Sequence, residues 1–382
     1  MQRLERKSLL SLGWHDETLP RSLLVNFWYA HPVGHAVEAL RYCLGYAGGD
    51  VEVSLLLNGA TATELGPCAP FVRATYSVDY VDFLGRTGDP DAALAHVPRD
   101  WDYVLDDQRS RQPDQLELAP GLRAYYQAAH RHFRARIRHG TAGSQPPEYV
   151  PNRRLRLELP RRRALPQGTR IAVLPAGSSE PARYPSPASW RLVLEAMTDV
   201  FPAAVFCLVG KLERDGRTST SWTRQQLESL GADVWAVDEP LLDQLAVIEA
   251  CDLFVSPHTG FAMAALAVGT PLLALSGGPW HEWFFNGVPF YSVIPDTRRY
   301  PAFTQFADQP DQVDDDGPRT PSMSRARIEE DLPELLEGAR LLVERRLSYE
   351  DALRGYFTRL LAAFAGDASR VFSFDNVHLS YI

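Results

Sequence analysis

An α/β protein with two doubly wound parallel sheets is predicted by three observations. Short apolar runs alternate with helix-length amphipathic segments along most of the chain, the rhythm produced by parallel strands joined through crossover helices. A Pro- and Arg-rich stretch, Ser144 to Gly168, has neither a helical nor a strand period and splits that alternation into halves. Finally, Cys251 to Pro279, CDLFVSPHTGFAMAALAVGTPLLALSGGP, reads as strand, polar turn, small-residue helix, tight turn and second strand.

In the first half the expected strands are Leu23 to Trp28, Val51 to Leu57, Phe71 to Val78 and Trp101 to Leu105, with helices beginning near His35 and Gly121. Gly121 to His139 reads as one amphipathic basic helix, with Leu122, Tyr126, Ala129, Phe133 and Ile137 on one face and Arg131, Arg134 and Arg138 largely on another. Peripheral contact with anionic lipid, steering of an acidic acceptor and a plain solvated arginine face are the three readings of that pattern. In the second half, strands are expected at Ile171 to Leu174, Ala204 to Val209, Val234 to Val237, Leu253 to Val255, Leu272 to Leu275 and Phe290 to Val293. Helices are expected at Trp190 to Val200, Gln225 to Leu230 and Leu241 to Ala250. Pro295 to Arg319, with Asp314, Asp315 and Asp316, reads as a solvated loop. Two helices follow. The second opens at Ser348 with Asp351 three residues on, and its apolar stripe is Leu353, Tyr356, Phe357, Leu360, Leu361 and Phe364. The domain limits expected from this pattern are 1–160, 161–325 and 326–382, the last helices crossing both domains.

Length and composition set the class. With 382 residues and 45% hydrophobic content, the chain can bury two sizeable cores. A formal charge of -9 argues against nucleic acid as a partner. The cysteines Cys43, Cys68, Cys207 and Cys251 are far apart, which fits a reducing compartment. Neither a signal-peptide pattern nor a long apolar run is present, so a cytoplasmic location is expected.

The physics of Cys251 to Pro279 points to an anion. Leu253 to Val255 is too short for a helix and suits a strand buried on both faces. Thr259 is a suitable cap, Gly260 adds no side chain, and Gly269 ends the helix. The helix N-terminus then lies at the carboxyl edge of a parallel sheet, where its N–H groups and dipole favour a phosphate. His258 sits at the mouth.

Ser256 to Pro279 resembles the donor-site signature of the heptosyltransferase-like family, glycosyltransferase family 9. Thr259, Gly260, Ala265, Ala267, Gly269, Thr270 and Pro271 fall in register with it, whereas His258 stands where the family has Asp and Met263 where it has His. Val173 to Ser179, VLPAGSS, resembles the strand and glycine turn that open the family's donor domain, and Arg183 follows where a basic residue is expected. The resemblance implies a GT-B fold: two Rossmann-like domains facing across a cleft, the first on the acceptor side and the second holding the nucleotide-sugar donor. It also implies an inverting, metal-independent glycosyltransferase of hexosyl or heptosyl type, with no cofactor and a nucleotide-diphosphate sugar as co-substrate. The acceptor would be a small molecule or glycan hydroxyl. A nucleotide-sugar epimerase on the same fold, and a non-catalytic partner of another transferase, are the alternatives.

Under this resemblance the donor contacts are Ser178, Ser179, Arg183, Lys211, His258, Thr259, Gly260, Phe261 and Glu282. Six of them have a plainer reading. Ser178 and Ser179 are ordinary turn residues, Arg183 is a surface charge, and Lys211, one of two lysines with Lys7, pairs with Glu213. His258 serves a donor contact, a second proton transfer or a hydrogen bond within its own turn. Glu282 either accepts from ribose hydroxyls or belongs to an aromatic plug with Trp280, Trp283, Phe284 and Phe285. Asp243 and Gln244 decorate a helix, and Met263 is core. Where the family has Gly-Asp before its first helix, with the acid as catalytic base, this chain has Gly34 and His35. An imidazole with an ordinary pKa of about 6.5 suits that proton transfer at neutral pH. His31 competes with His35 for the role.

Overall fold

The computed structural model describes residues 22–29, 33–48, 51–80, 82–107, 113–138, 148–213, 219–275, 285–294, 312–314, 317–371 and 373–382. His31, Trp280, Glu282, Trp283 and Phe284 lie outside them. Two compact units form. The first comprises Met1–Tyr29, Tyr42–Gly59 and Phe71–Val150; the second comprises Ala30–Arg41, Ala60–Pro70 and Pro151–Ile382.

Among the described residues before 150, the α-helices and strands are β1 Ser22–Phe27, α1 Val33–Tyr46, β2 Glu52–Asn58, β3 Val72–Val78, α2 Pro90–Leu94, β4 Asp100–Asp106, α3 Pro113–Leu118, α4 Pro120–His132 and β5 Arg134–Arg138. All strand pairs in the first sheet are parallel, in the order β3-β2-β1-β4-β5. Its Leu24, Leu56 and Val104 are fully buried, as runs covered by helices on both faces require. Trp28, Tyr80 and Tyr125 complete this core, and Trp28 stacks on Tyr125 with ring centroids 4.3 Å apart.

One expectation fails here. The basic helix does not run to His139, because α4 stops at His132, Phe133 turns extended, and Arg134–Arg138 pairs with β4 as an edge strand. The sequence Arg-Ala-Arg-Ile-Arg also satisfies a period of two, and the open edge of β4 supplies backbone partners that a helical continuation would leave unused. Arg134 and Arg138 therefore share no helical face with Arg131, whose guanidinium lies 2.6 Å from Asp91.

The second sheet begins with β6 Thr169–Val173 and continues through α5 Pro187–Val200, β7 Ala204–Leu208, α6 Arg224–Glu228, β8 Val234–Trp235, α7 Leu241–Glu249 and β9 Leu253–Pro257. It ends with α8 Gly260–Val268, β10 Leu272–Leu275 and β11 Phe290–Ser292. Every pairing is parallel, in the order β11-β10-β9-β6-β7-β8. The strand, turn, helix, turn and strand expected from Cys251 onward are present, with Gly269 in the left-handed region at φ 93° closing α8.

Residues 151–168 carry no regular structure, yet they are not a free linker. Leu155 and Leu157 are buried, the Leu155 N–H donates to Asn286 Oδ1 at 2.8 Å, and Asn286 Nδ2 donates back to the Leu155 carbonyl at 2.8 Å. Asn286 is thus a clasp inside the second unit. Nor is the stretch ending at Arg319 wholly loop, since β12 Gln312–Asp314 and β13 Gly317–Arg319 form an antiparallel pair. Gly317, which opens β13, has φ 130°, a region that favours glycine.

Two helices complete the unit: α9 Arg325–Val343 and α10 Tyr349–Ala363. Ser348 caps α10 by accepting from the Asp351 N–H at 3.1 Å, and Tyr356 and Phe357 pack their rings around Phe285. Arg359 ties α10 to the sheet by donating to the Ser292 carbonyl at 3.1 Å while pairing with Glu334. All four cysteines are buried and free. Among the described residues no helix is long and apolar enough to cross a membrane.

Candidate functional site

In a doubly wound sheet the loops that leave adjacent strands in opposite directions open a crevice at the carboxyl edge, and ligands bind there. In the second unit that switch lies between β6 and β9, the two central strands paired through Ile171–Leu253 and Val173–Val255. The loop after β6 is Leu174 to Glu180, and the turn after β9 is His258 and Thr259. Both stretches singled out in the sequence therefore emerge side by side.

Several bonds hold the first loop. Trp190 Nε1 donates to the Pro175 carbonyl at 3.0 Å, the Ser221 N–H donates to the Gly177 carbonyl at 2.8 Å, and the Ser179 N–H donates to the Tyr184 hydroxyl at 3.2 Å. At Gly177 there is little room for a side chain. A Cβ there would lie 2.8 Å from the Tyr184 hydroxyl and 3.2 Å from Thr259 Cγ2, so this loop and the β9 turn already touch. Burial pushes the Tyr184 phenol up, while the Ser179 N–H and the charge of Arg183 oppose that shift. Arg183, at the end of the short turn Pro181–Arg183, is half-buried beside this loop; Ser179 is half-buried and Ser178 exposed.

The second loop is built on a cap. Thr259 Oγ1 accepts from the Ala262 N–H at 3.2 Å, so the N–H groups of Gly260 and Phe261 head the helix. Phe261 itself is buried, its ring 6.4 Å from that of Phe254. The ring of His258 is half-buried, with both nitrogens shielded from solvent. Thr259→Ala should lower the stability of the second unit by about 0.5–2 kcal/mol, read as a shifted denaturant midpoint.

His35 joins this site through its neighbour. Gly34 and Gly260, both in the second unit, stand so close that a Cβ on Gly34 would lie 2.9 Å from Gly260 Cα and 3.3 Å from Met263 Sδ. The first turns of α1 and α8 therefore meet backbone to backbone, and His35 follows directly, half-buried with Nδ1 shielded. Two helix N-termini in contact concentrate positive potential. Met263 is core, as its position in α8 suggests.

The remaining candidates divide. Lys211 follows Gly210, whose φ of 142° only glycine adopts readily and whose N–H donates to Gln244 Oε1 at 2.8 Å. Its ammonium lies 3.6 Å from Glu213, the plainer of its two readings. Glu282 falls outside the described residues. Sequence reasoning missed the Trp190 clasp, the Gln244 lock and the Gly34–Gly260 contact. Two glycines, each opening a helix, were the available signal for the last; nothing local marks the other two.

No family model matches this sequence, and no curated protein does. Solved structures do. A family 9 glycosyl transferase from Veillonella parvula DSM 2008 superposes with a TM-score of 0.50 at 10% identity, covering 83% of this chain and 97% of that one. The ADP-heptose LPS heptosyltransferase II of E. coli gives 0.49 at 14% identity over 84% and 99%, and the E. coli heptosyltransferase WaaC with ADP gives 0.49 at 12% over 82% and 99%. With its two parallel sheets, the chain has the α/β fold of the Veillonella family 9 glycosyl transferase, the fold class that the resemblance at Ser256 to Pro279 implies.

Proposed function

We propose that this protein is an inverting glycosyltransferase that moves a sugar from a nucleotide-diphosphate sugar to an acceptor hydroxyl without a metal ion. The meeting of the α1 and α8 N-termini at Gly34 and Gly260, on the carboxyl edge of β9, carries this reading. It offers backbone N–H groups and helix dipoles to the diphosphate whose negative charge grows as the glycosidic bond breaks. Arg183 adds a fixed positive charge beside the neighbouring loop.

In the proposed step the acceptor oxygen attacks the anomeric carbon from the face opposite the diphosphate. The bond from that carbon to the diphosphate oxygen breaks with both electrons on oxygen, and the acceptor proton passes to His35. Attack from the opposite face inverts the centre. Placing the base one residue from the Gly34–Gly260 contact puts proton acceptor and leaving-group site on adjoining helix turns. Of the E. coli heptosyltransferases whose structures resemble this chain, one is named for ADP-heptose and another is described with ADP, so ADP-sugars are among the donors to try.

Transfer and hydrolysis assays with UDP, GDP, ADP and dTDP sugars test the proposal. Turnover of one donor class is expected; no turnover together with no nucleotide binding would sink it. Arg183→Gln should then lower kcat by about 10²–10³, the loss typical of removing one donor from a developing oxyanion.

A further inference from the structure

The amino-terminal edge of the second sheet, opposite the edge that carries the β6 and β9 turns, holds a cavity of about 250 Å³. It lies where β9 and β10 begin, at Cys251, Asp252, Thr270 and Pro271. Helices α7, α8 and α9 all end on it, at Glu249, Val268 and Val343. Pockets for drug-sized molecules run from about 300 Å³ upward, so the occupant is small.

Cation-binding groups gather at one part of this cavity. Three helix C-termini bring the negative ends of their dipoles together. Glu249 is half-buried, and its carboxylate makes no hydrogen bond or ion pair among the described residues. Asp252, by contrast, is neutralised, because its two oxygens accept from the Arg170 guanidinium at 3.1 and 3.2 Å. The neighbouring Cys207 thiol and burial push the Cys251 thiol up, so it stays uncharged. Nor do Glu249, Cys251 and Asp252 form a metal-ligating group. One open carboxylate and three helix ends remain, an environment for a small organic cation.

Anion-binding groups stand at the mouth. Arg156 and Arg345 line the same cavity, are exposed, and make no ion pair with any described residue. Arg345 holds its place at a conformational cost. Its φ is 56°, its N–H donates to the Leu342 carbonyl at 3.1 Å, and the Arg346 N–H donates to the Leu341 carbonyl at 2.8 Å. Those two bonds mark the left-handed end of α9, a position that glycine takes most readily and that Gly269 takes at the end of α8. A guanidinium kept where the backbone favours glycine points to a use for the charge.

We propose that this cavity binds a small zwitterion carrying more acid than base, the chemistry of an acidic α-amino acid. Its ammonium group is held by Glu249 and the helix ends, and its two carboxylates by Arg156 and Arg345, through charge-assisted hydrogen bonds. Every group named belongs to the second unit, and the site does not rest on the transferase reading.

Isothermal calorimetry on the full chain tests the site with L-glutamate, with glutarate as the analogue lacking the ammonium group and 4-aminobutyrate as the analogue lacking the α-carboxylate. L-Glutamate should bind about tenfold or more tightly than either, since each analogue leaves a charged group of the site unanswered. Arg345→Gly should hold or raise the melting temperature, because glycine adopts this φ freely, while weakening L-glutamate by about tenfold. Glu249→Gln should remove most of the preference for L-glutamate over glutarate. Absence of L-glutamate binding, equal affinity for glutarate, or unchanged L-glutamate affinity in Arg345→Gly would overturn the site.

Discussion

Replacing His35 with Ala or Gln is expected to lower kcat for transfer by about 10²–10⁴, the usual contribution of a general base, with little change in nucleotide affinity. The expectation follows from placement. His35 is the third residue of α1, and the glycine before it abuts the first residue of α8, whose N–H groups the proposal gives to the diphosphate. Losing a base affects the transition state more than the ground state, so kcat falls while KM for the donor holds. Gln preserves polarity and volume without accepting the proton, which separates a chemical loss from a packing loss. A His35→Gln enzyme with wild-type kcat would remove the residue from this role.

The largest stability effect is expected at Trp190. Its side chain is fully buried on α5 among Ile171, Val173 and Tyr184, and its indole N–H fastens the Pro175 carbonyl. Trp190→Ala should destabilise the second unit by about 3–5 kcal/mol, the range for truncating a large buried aromatic. Trp190→Phe keeps most of the apolar volume but strands a buried carbonyl, at about 1–3 kcal/mol. Since Pro175 lies in the loop that carries Gly177 and Ser179, with Arg183 on the turn that follows, the Phe variant should also bind nucleoside diphosphate more weakly. Denaturant titration and calorimetry on the two variants distinguish these effects.

Local chemistry explains which elements were legible. Strand β9 and helix α8 could be read because each boundary has its own cause: an apolar run too short for a helix, a Thr cap, and a glycine in the left-handed region. Helix α10 was equally plain, its Ser348 cap and apolar stripe both being sequence patterns. At Phe133 the outcome depended on something remote. Whether Arg134–Arg138 continues a helix or joins a sheet is decided by the unfilled edge of β4, whose partners Asp100 and Val104 lie 34 residues before Arg134 and Arg138. The clasps behave the same way. Asn286 reaches Leu155 and Gln244 reaches Gly210 across sequence separations that no local pattern records. Within the site, residue types could be anticipated, but contact between Gly34 and Gly260 could not, because close approach of two helices is a property of packing.

A crystal structure with a bound nucleoside diphosphate tests the central claim most directly. The diphosphate should lie within hydrogen-bond reach of the Gly260 and Phe261 N–H groups, with Arg183 turned toward it and His35 on the side where the sugar would sit. A nucleotide bound elsewhere, or a diphosphate out of reach of the α8 N-terminus, would contradict it.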